Sequence, residues 1–176
     1  MPRFAALDVN SAPQASKTIL EGPLKGKHFN LFKGLANSPA ALESYVAFSG
    51  ALAKGGLSGA ERELIALAVA EANNCGYCAA AHTAIGKGAG LSEAQTIEAR
   101  RGGASEAKHA ALIKFTLALH EKRGFVSDSD LAAFKQVGYT DGHATEVIGN
   151  YALNVFTNYF NHANETVLDF PAISKI

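Results

Sequence analysis

The stretch Ser58-Gly-Ala-Glu-Arg-Glu-Leu-Ile-Ala-Leu-Ala-Val-Ala-Glu71 decides the fold of this 176-residue chain. Ser58 followed three residues later by Glu61 is the pattern of a capping box, so a helix is expected to begin here and Glu61 to serve its start. The run from Leu64 to Ala70 is apolar on every side of that helix. Such a helix is buried all round, which predicts that this segment lies in the core.

Helix signals follow one another through the rest of the chain, and no segment shows the period-2 alternation of a strand. Residues 1–36 are rich in Pro, Gly, Ser and Lys and are predicted to form an irregular arm over the body or over a neighbouring subunit. Residues 37–176 are predicted to form one all-α domain of about seven helices. These helices are expected at 39–54, 59–73, 76–88, 92–101, 105–123, 128–137 and 141–164.

The overall composition favours a soluble intracellular protein. Hydrophobic residues make up 48% of the chain, and 16 Lys and Arg residues balance 16 Asp and Glu residues. With no basic patch, neither a nucleic acid nor a membrane surface is expected as a partner. The N-terminus lacks the features of a signal peptide, and no apolar run approaches the length of a membrane span. A cytoplasmic location is therefore expected.

Cys75 and Cys78 are the only cysteines, and His82 follows four residues after the second. With Asn73 or Asn74 as the predicted N-cap, Cys75 lies at the start of a helix, where the helix dipole favours a thiolate. The spacings of three and four residues place both cysteines and His82 on one face. In a reducing compartment, such a pair is expected to be catalytic or metal-binding rather than a structural staple.

The types of these side chains suggest redox chemistry. His82 can take a proton from a thiol or stabilise a thiolate, and the second cysteine can close a disulfide after oxidation. A carboxylate on the buried upstream helix, Glu63 or Glu71, is a candidate proton relay because its burial is costly without a partner. The alternative for Glu63 is an exposed position in the first turn that only favours the helix dipole.

Glu63 and, twelve positions on, Cys75-x-x-Cys78-x-x-x-His82 resemble the AhpD-like alkylhydroperoxidase branch of the carboxymuconolactone decarboxylase family. A looser resemblance extends from about Leu31 to the Asp-Phe-Pro at 169–171. It implies an AhpD-like helical fold and a thiol-dependent peroxidase in which Cys78 is the peroxidatic thiol and Cys75 the resolving thiol. Glu63 and His82 would then form a proton relay through water.

One position departs from the family pattern. The best-known peroxidases of the family have a second histidine just before the second cysteine, whereas this chain has Tyr77. A tyrosine is not a base near neutral pH, but its hydroxyl can donate a hydrogen bond. Tyr77 is therefore a candidate for a supporting role, and the substrate and the reductant are left open.

The resemblance also implies partners. It predicts a peroxide substrate, an external dithiol or reductase as electron donor, no cofactor and no metal, and a role in antioxidant defence. It further implies a homo-oligomer, with a trimer and a hexamer both open, for which the aromatic-rich C-terminal helix and the arm could supply contacts.

Several other functions fit parts of the pattern. A general disulfide oxidoreductase uses the same dithiol, and a lactone decarboxylase belongs to the same family but generally does not depend on that dithiol. A zinc site would use Cys75, Cys78 and His82 but needs a fourth ligand, which no second motif supplies. A helical subunit with inert thiols is the remaining alternative.

The last predicted helix carries four asparagines, Asn150, Asn154, Asn158 and Asn161, on one side. Because asparagine is a poor helix former, this register suggests side-chain hydrogen bonds in the core, at a subunit contact or beside the active site. A solvated helix face is the simpler alternative. Asn158 and His162 are predicted to support the active site.

Overall fold

A computed structural model describes residues 1–174 and 176 and confirms the all-α prediction. Within these residues there are nine helices and no strand. The helices are α1 (Gln14–Glu21), α2 (Asn30–Leu35), α3 (Pro39–Leu52), α4 (Gly59–Ala72), α5 (Gly76–Gly88), α6 (Glu93–Arg100), α7 (Ala107–Glu121), α8 (Asp128–Gln136) and α9 (Asp141–Asn164). None of the described helices is both long and apolar enough to cross a membrane.

The seven predicted helices correspond to α3–α9, but the structure differs in the N-terminal arm, which contains α1 and α2. Both helices are short and begin without a side-chain cap, at Pro13 and at Phe29. The sequence signals of a helix start are therefore missing there. The arm is also held to the body of its own chain, because Leu20, Leu24, Leu31 and Leu35 are buried in the same apolar cluster as the two cysteines.

Helix α4 lies at the centre of the fold, as predicted. Every residue from Leu64 to Ala70 is buried, and the capping box is present. Ser58 Oγ accepts a hydrogen bond from the Glu61 amide at 3.2 Å, and Glu61 accepts one from the Ser58 amide at 2.8 Å. One side of α4 joins the apolar cluster formed with α6–α9, and its end at Ala70 joins the cluster formed with α1–α3 and α5.

The turn between α4 and α5 positions the dithiol. Asn73 ends α4, Asn74 takes the left-handed conformation with φ 56°, and Cys75 is the N-cap of α5. The prediction of an asparagine N-cap is thus wrong by one or two residues. Asn74 instead forms the turn, because asparagine tolerates the left-handed conformation. The capping contact is made by Cys75, whose sulfur accepts a hydrogen bond from the Cys78 amide at 3.3 Å.

Candidate active site

Cys75 and Cys78 are joined as a disulfide at the start of α5. Each residue is only 2% exposed, so both sulfurs lie beneath the surface of the protein. The two residues also face different spaces, since Cys78 lines one cavity and Cys75 lines another. The two sulfurs are therefore distinct in their surroundings.

A glutamate and a histidine form a pair beside Cys78. Glu63 Oε2 lies 2.7 Å from His82 Nδ1, and their side chains are 15% and 22% exposed. Glu63 comes from α4 and His82 from α5, so the contact depends on the packing of these two helices. Gly86 of α5 faces Glu63 on α4, since a Cβ there would lie 3.5 Å from the Cβ of Glu63, in ordinary van der Waals contact. The carboxylate is thus partnered rather than free in solvent.

Cys78 and this pair line one cavity of about 680 Å³. Its walls are mostly apolar and include Phe32, Tyr45 and Phe170. Burial, followed by the negative charge of Glu63, raises the pKa of Tyr45 to about 12, so its hydroxyl stays protonated near neutral pH. A small or medium-sized apolar molecule that carries one polar group fits such a space.

The asparagines of α9 are buried rather than solvated. Asn150, Asn154 and Asn161 line the cavity of Cys78, and the Nδ2 of Asn161 lies 3.2 Å from the Cys78 sulfur. Asn158 is fully buried outside this cavity and accepts a hydrogen bond from Asn73 at 3.0 Å. His162 is not part of this buried row. It follows Asn161 directly, and a step of one residue along the helix turns its side chain to solvent.

Tyr77 links the N-terminal arm and the C-terminal tail to α5, the helix that carries the two cysteines. Its hydroxyl donates a hydrogen bond to Asp169 at 2.8 Å and accepts one from the Leu31 amide at 3.2 Å. Burial, followed by the contact with Asp169, raises its pKa above the ordinary value, so the hydroxyl is a donor at neutral pH. Its ring packs edge-on against Phe170, with the ring centroids 5.7 Å apart.

The cavity at Cys75 has a different character. It measures about 420 Å³ and is covered by the C-terminal tail, including Leu168 and Ile173. Glu71, the other carboxylate considered as a relay, faces this space and forms an ion pair with Arg100 at 2.9 Å. Glu71 is therefore not part of the cavity that contains Cys78.

The structure also bears on metal binding. In residues 1–174 and 176, no group of three or more His, Cys, Asp and Glu side chains is arranged to hold a metal ion. Cys75, Cys78 and His82, the three ligands considered for zinc, are therefore not arranged as a metal site among the described residues.

Fold and site together define an all-helical protein with a buried dithiol and a Glu–His pair next to one sulfur. The model of the carboxymuconolactone decarboxylase family matches residues 39–121, which contain all four of these side chains. The chain is similar to the carboxymuconolactone decarboxylase family over this segment, and its fold is AhpD-like. No protein of curated function matches the chain significantly.

Solved structures share this fold. The alkylhydroperoxidase AhpD core, a peroxidase-related protein from Ralstonia eutropha JMP134, superposes with a TM-score of 0.86 at 23% identity, covering 96% of this chain and 92% of the other. A peroxidase-related protein from Silicibacter sp. TM1040 gives a TM-score of 0.80 at 20% identity, covering 94% and 92%. At these identities the likeness concerns the fold.

A third structure with the fold carries a different activity in its name. It is a variant of the debrominase Bmp8 in complex with 2,3,4-tribromopyrrole, with a TM-score of 0.79 at 16% identity, covering 95% of this chain and 91% of the other. Proteins with this fold therefore carry out more than one chemistry. The function of this chain has to be inferred from the residues of its site.

Proposed function

We propose that this protein is a thiol-dependent peroxidase that reduces hydrogen peroxide or organic hydroperoxides through a Cys75/Cys78 dithiol–disulfide cycle. The observation that carries the proposal is that Cys78 lines the same cavity as the Glu63–His82 pair. The protein would act in antioxidant defence in the cytoplasm. It would use an external dithiol or a reductase as electron donor and need neither a cofactor nor a metal.

The chemistry begins with the reduced protein. The Cys78 thiolate attacks the terminal oxygen of the hydroperoxide, an S–O bond forms, the O–O bond breaks, and an alkoxide or hydroxide leaves. The products are a sulfenic acid on Cys78 and, after protonation of the leaving group, an alcohol or water. The Cys75 thiol then attacks the sulfenic sulfur and releases water, and the external dithiol reduces the disulfide by two electrons.

The Glu63–His82 pair supplies the proton transfers. An ionised Glu63 accepts the hydrogen bond of His82 Nδ1, which orients the ring and leaves Nε2 for the exchangeable proton. Through water, His82 would take the proton of the Cys78 thiol and return it to the leaving alkoxide. The proton that His82 takes from the thiol is the one that it gives to the alkoxide. The Glu63–His82 pair therefore returns to the same protonation state at the end of each cycle.

Burial of the sulfurs favours this reaction over general disulfide exchange. With Cys75 and Cys78 each 2% exposed, a protein partner, whether a disulfide substrate or a reductase, requires the site to open before it meets either sulfur. A peroxide is small enough to enter the cavity at Cys78. The thiol chemistry is therefore assigned to a small molecule, and disulfide exchange to the regeneration step.

The test is a peroxide-reduction assay with hydrogen peroxide, tert-butyl hydroperoxide and cumene hydroperoxide and a small dithiol as reductant. Cys78→Ser is expected to lose both peroxide reduction and disulfide formation. Cys75→Ser is expected to accumulate a sulfenic acid on Cys78, which dimedone labelling and mass spectrometry detect. Full multiple-turnover activity of Cys75→Ser would show that the resolving role is wrong.

The relay is tested separately. Glu63→Gln is expected to keep its circular dichroism spectrum but to slow sulfenic acid formation, and Glu43→Gln, an exposed carboxylate on α3, is the control. A wild-type rate in Glu63→Gln would remove Glu63 from the mechanism. A bromopyrrole completes the substrate panel, and debromination without peroxide reduction would contradict the peroxidase proposal.

We also propose that the protein forms a homo-oligomer. Helix α9 leaves a row of apolar side chains exposed, Ile148, Phe156 and Tyr159, at spacings that share one helix face. Burying such a row against a second copy removes apolar surface from water. Both a trimer and a hexamer remain open.

A further inference from the structure

We propose that Asn161 is a further catalytic residue, whose amide N–H holds the Cys78 thiolate while its amide oxygen binds the O–H of the incoming hydroperoxide. This inference rests on the proposed peroxidase function. One side chain of α9 would thus position both the nucleophilic sulfur and the peroxide oxygen that this sulfur attacks.

The first observation is the contact with sulfur. Asn161 Nδ2 lies 3.2 Å from Cys78 Sγ, and Asn161 is only 5% exposed. A disulfide sulfur is a weak acceptor, whereas a thiolate carries a full negative charge and accepts a stronger, charge-assisted hydrogen bond. The contact therefore strengthens when the disulfide is reduced, and it favours the reactive thiolate over the thiol.

The second observation concerns the other end of the same amide. Asn161 Oδ1 is buried and has no hydrogen-bond partner among residues 1–174 and 176. A buried acceptor without a partner is costly, so its retention calls for an explanation. Asn161 lines the cavity of Cys78, so a donor that binds there and displaces the groups now covering this oxygen would satisfy it.

The neighbouring asparagines are engaged elsewhere. Asn150 Nδ2 donates to the Glu146 carbonyl at 2.8 Å, and Asn154 Nδ2 donates to the Asn150 carbonyl at 2.9 Å, both within α9. Asn158 pairs with Asn73. These contacts stabilise the helix and its packing, whereas the amide of Asn161 points its donor at a reacting atom.

A hydroperoxide matches this arrangement. Its single O–H lies on the terminal oxygen, which is the oxygen that a thiolate attacks. Oδ1 would accept that O–H while Nδ2 holds the sulfur. As the S–O bond forms and the O–O bond breaks, the hydroxyl passes to Cys78 with its O–H still donating a hydrogen bond to Oδ1. The leaving alkoxide takes its proton from His82, and the sulfenic acid remains oriented for attack by Cys75.

The first measurement needs no peroxide. In a Cys75→Ser background, Cys78 is the one thiol, and the rate of its alkylation by iodoacetamide as a function of pH gives the midpoint of thiolate formation. Asn161→Ala is expected to raise this midpoint by about one to two pH units, since hydrogen bonds to charged groups are among the stronger ones. Asn161→Asp keeps the shape of the side chain but puts an anion beside the thiolate, so its midpoint is expected to be higher still.

The matched control is Asn164→Ala. Asn164 is a buried asparagine one turn further along α9, and its amide bonds to Phe4 and Thr166, away from the dithiol. It is expected to leave the alkylation midpoint unchanged even where stability falls. The variants retain the other titratable or charged side chains of the cavity, which are Lys27, Tyr45, Arg62, Glu63, Tyr77 and His82.

The second measurement is sulfenic acid formation in a single turnover, in the same background, at a pH where each variant is fully ionised. Asn161→Ala is expected to react at least about tenfold more slowly with cumene hydroperoxide, because the peroxide O–H has lost its acceptor. Asn161→Asp retains an acceptor oxygen, so part of that loss is expected to be recovered at the same degree of thiolate formation.

The outcomes separate this inference from the proposed function. Wild-type midpoints and wild-type single-turnover rates in both Asn161 variants would overturn the role of Asn161 while leaving the peroxidase proposal intact. A wild-type protein that reduces no peroxide would overturn the proposed function and the peroxide contact, and a raised midpoint in Asn161→Ala would then support the thiolate contact alone. Should Asn161→Ala fail to fold, the isosteric Asn161→Asp provides the same comparison.

Discussion

Replacing Tyr77 by phenylalanine removes one oxygen at the point where this chain departs from the pattern of the family that it resembles. The ring and its edge contact with Phe170 remain, while two hydrogen bonds are lost, one donated to Asp169 and one accepted from the Leu31 amide. If Tyr77 is a structural tie, the variant should lose stability and keep its chemistry.

The magnitude follows from the two contacts. Leu31 lies in the first turn of α2, whose own N-cap residue Phe29 makes no side-chain hydrogen bond, so the loss of this cap costs about 1 kcal/mol. Asp169 is exposed and keeps its bond from the Asn30 amide at 2.7 Å, so the loss of the hydroxyl there costs about 1 kcal/mol as well. Together they predict a loss of about 2 kcal/mol, which lowers Tm by about 4–8 °C for a chain of this size.

Thermal unfolding and hydrogen exchange measure this effect. Faster exchange is expected at the Leu31 amide, which loses its acceptor. Glu43→Gln, at an exposed position of α3, is the control, and it should change stability by less than about 0.5 kcal/mol. Equal stability of the two variants would refute the tie. Loss of peroxide reduction at unchanged stability would instead place Tyr77 in the chemistry.

Three further predictions follow from the packing, the charges and the exposed surface. Gly86→Val should push α4 from α5, cost about 1–3 kcal/mol and reduce peroxide turnover more than Gly86→Ala, as urea unfolding and kinetics can test. Hydrogen bonds from Ser58 and Tyr139 outweigh burial and lower the pKa of Glu61 to about 2. Its contribution to stability should therefore be complete above its ordinary pKa of 4.5 and fade as the pH falls toward about 2. Glu61→Gln should lack this acid dependence in unfolding measured against pH, and an unchanged dependence would contradict the assignment. Phe156→Glu should dissociate a homo-oligomer without unfolding the chain, as light scattering after gel filtration can show, and an unchanged mass would exclude this face as the contact.

The sequence predicted the helices where a local signal marks the end of each. The Ser58 capping box, the proline that follows Ser38 and the Thr140 cap all begin helices in the structure. Helices α1 and α2 escaped prediction because they are short, at 8 and 6 residues, and neither start is capped by a side chain of its own. In α2 the amides of the first turn are bonded instead by Tyr77 and Asp169, which are distant in sequence.

The asparagines of α9 show the same division within the site. Their register on one side of the helix follows from their spacing in the sequence, and all four are buried in the structure. The environment of that side depends on which helices pack against α9, so core, contact and solvent could not be distinguished. Asn161 lies 83 residues from Cys78, and no local pattern joins the two.

The sequence by itself determined the central buried helix, the dithiol and the shared face of Cys78 and His82, because periodicity and capping act between residues a few positions apart. Only the tertiary structure decided that Glu63 meets His82, that Asn161 meets the Cys78 sulfur and that Tyr77 holds the tail. Each of these contacts joins two separate segments of the chain. The distance between two such segments is set by how closely the side chains packed between them fit together.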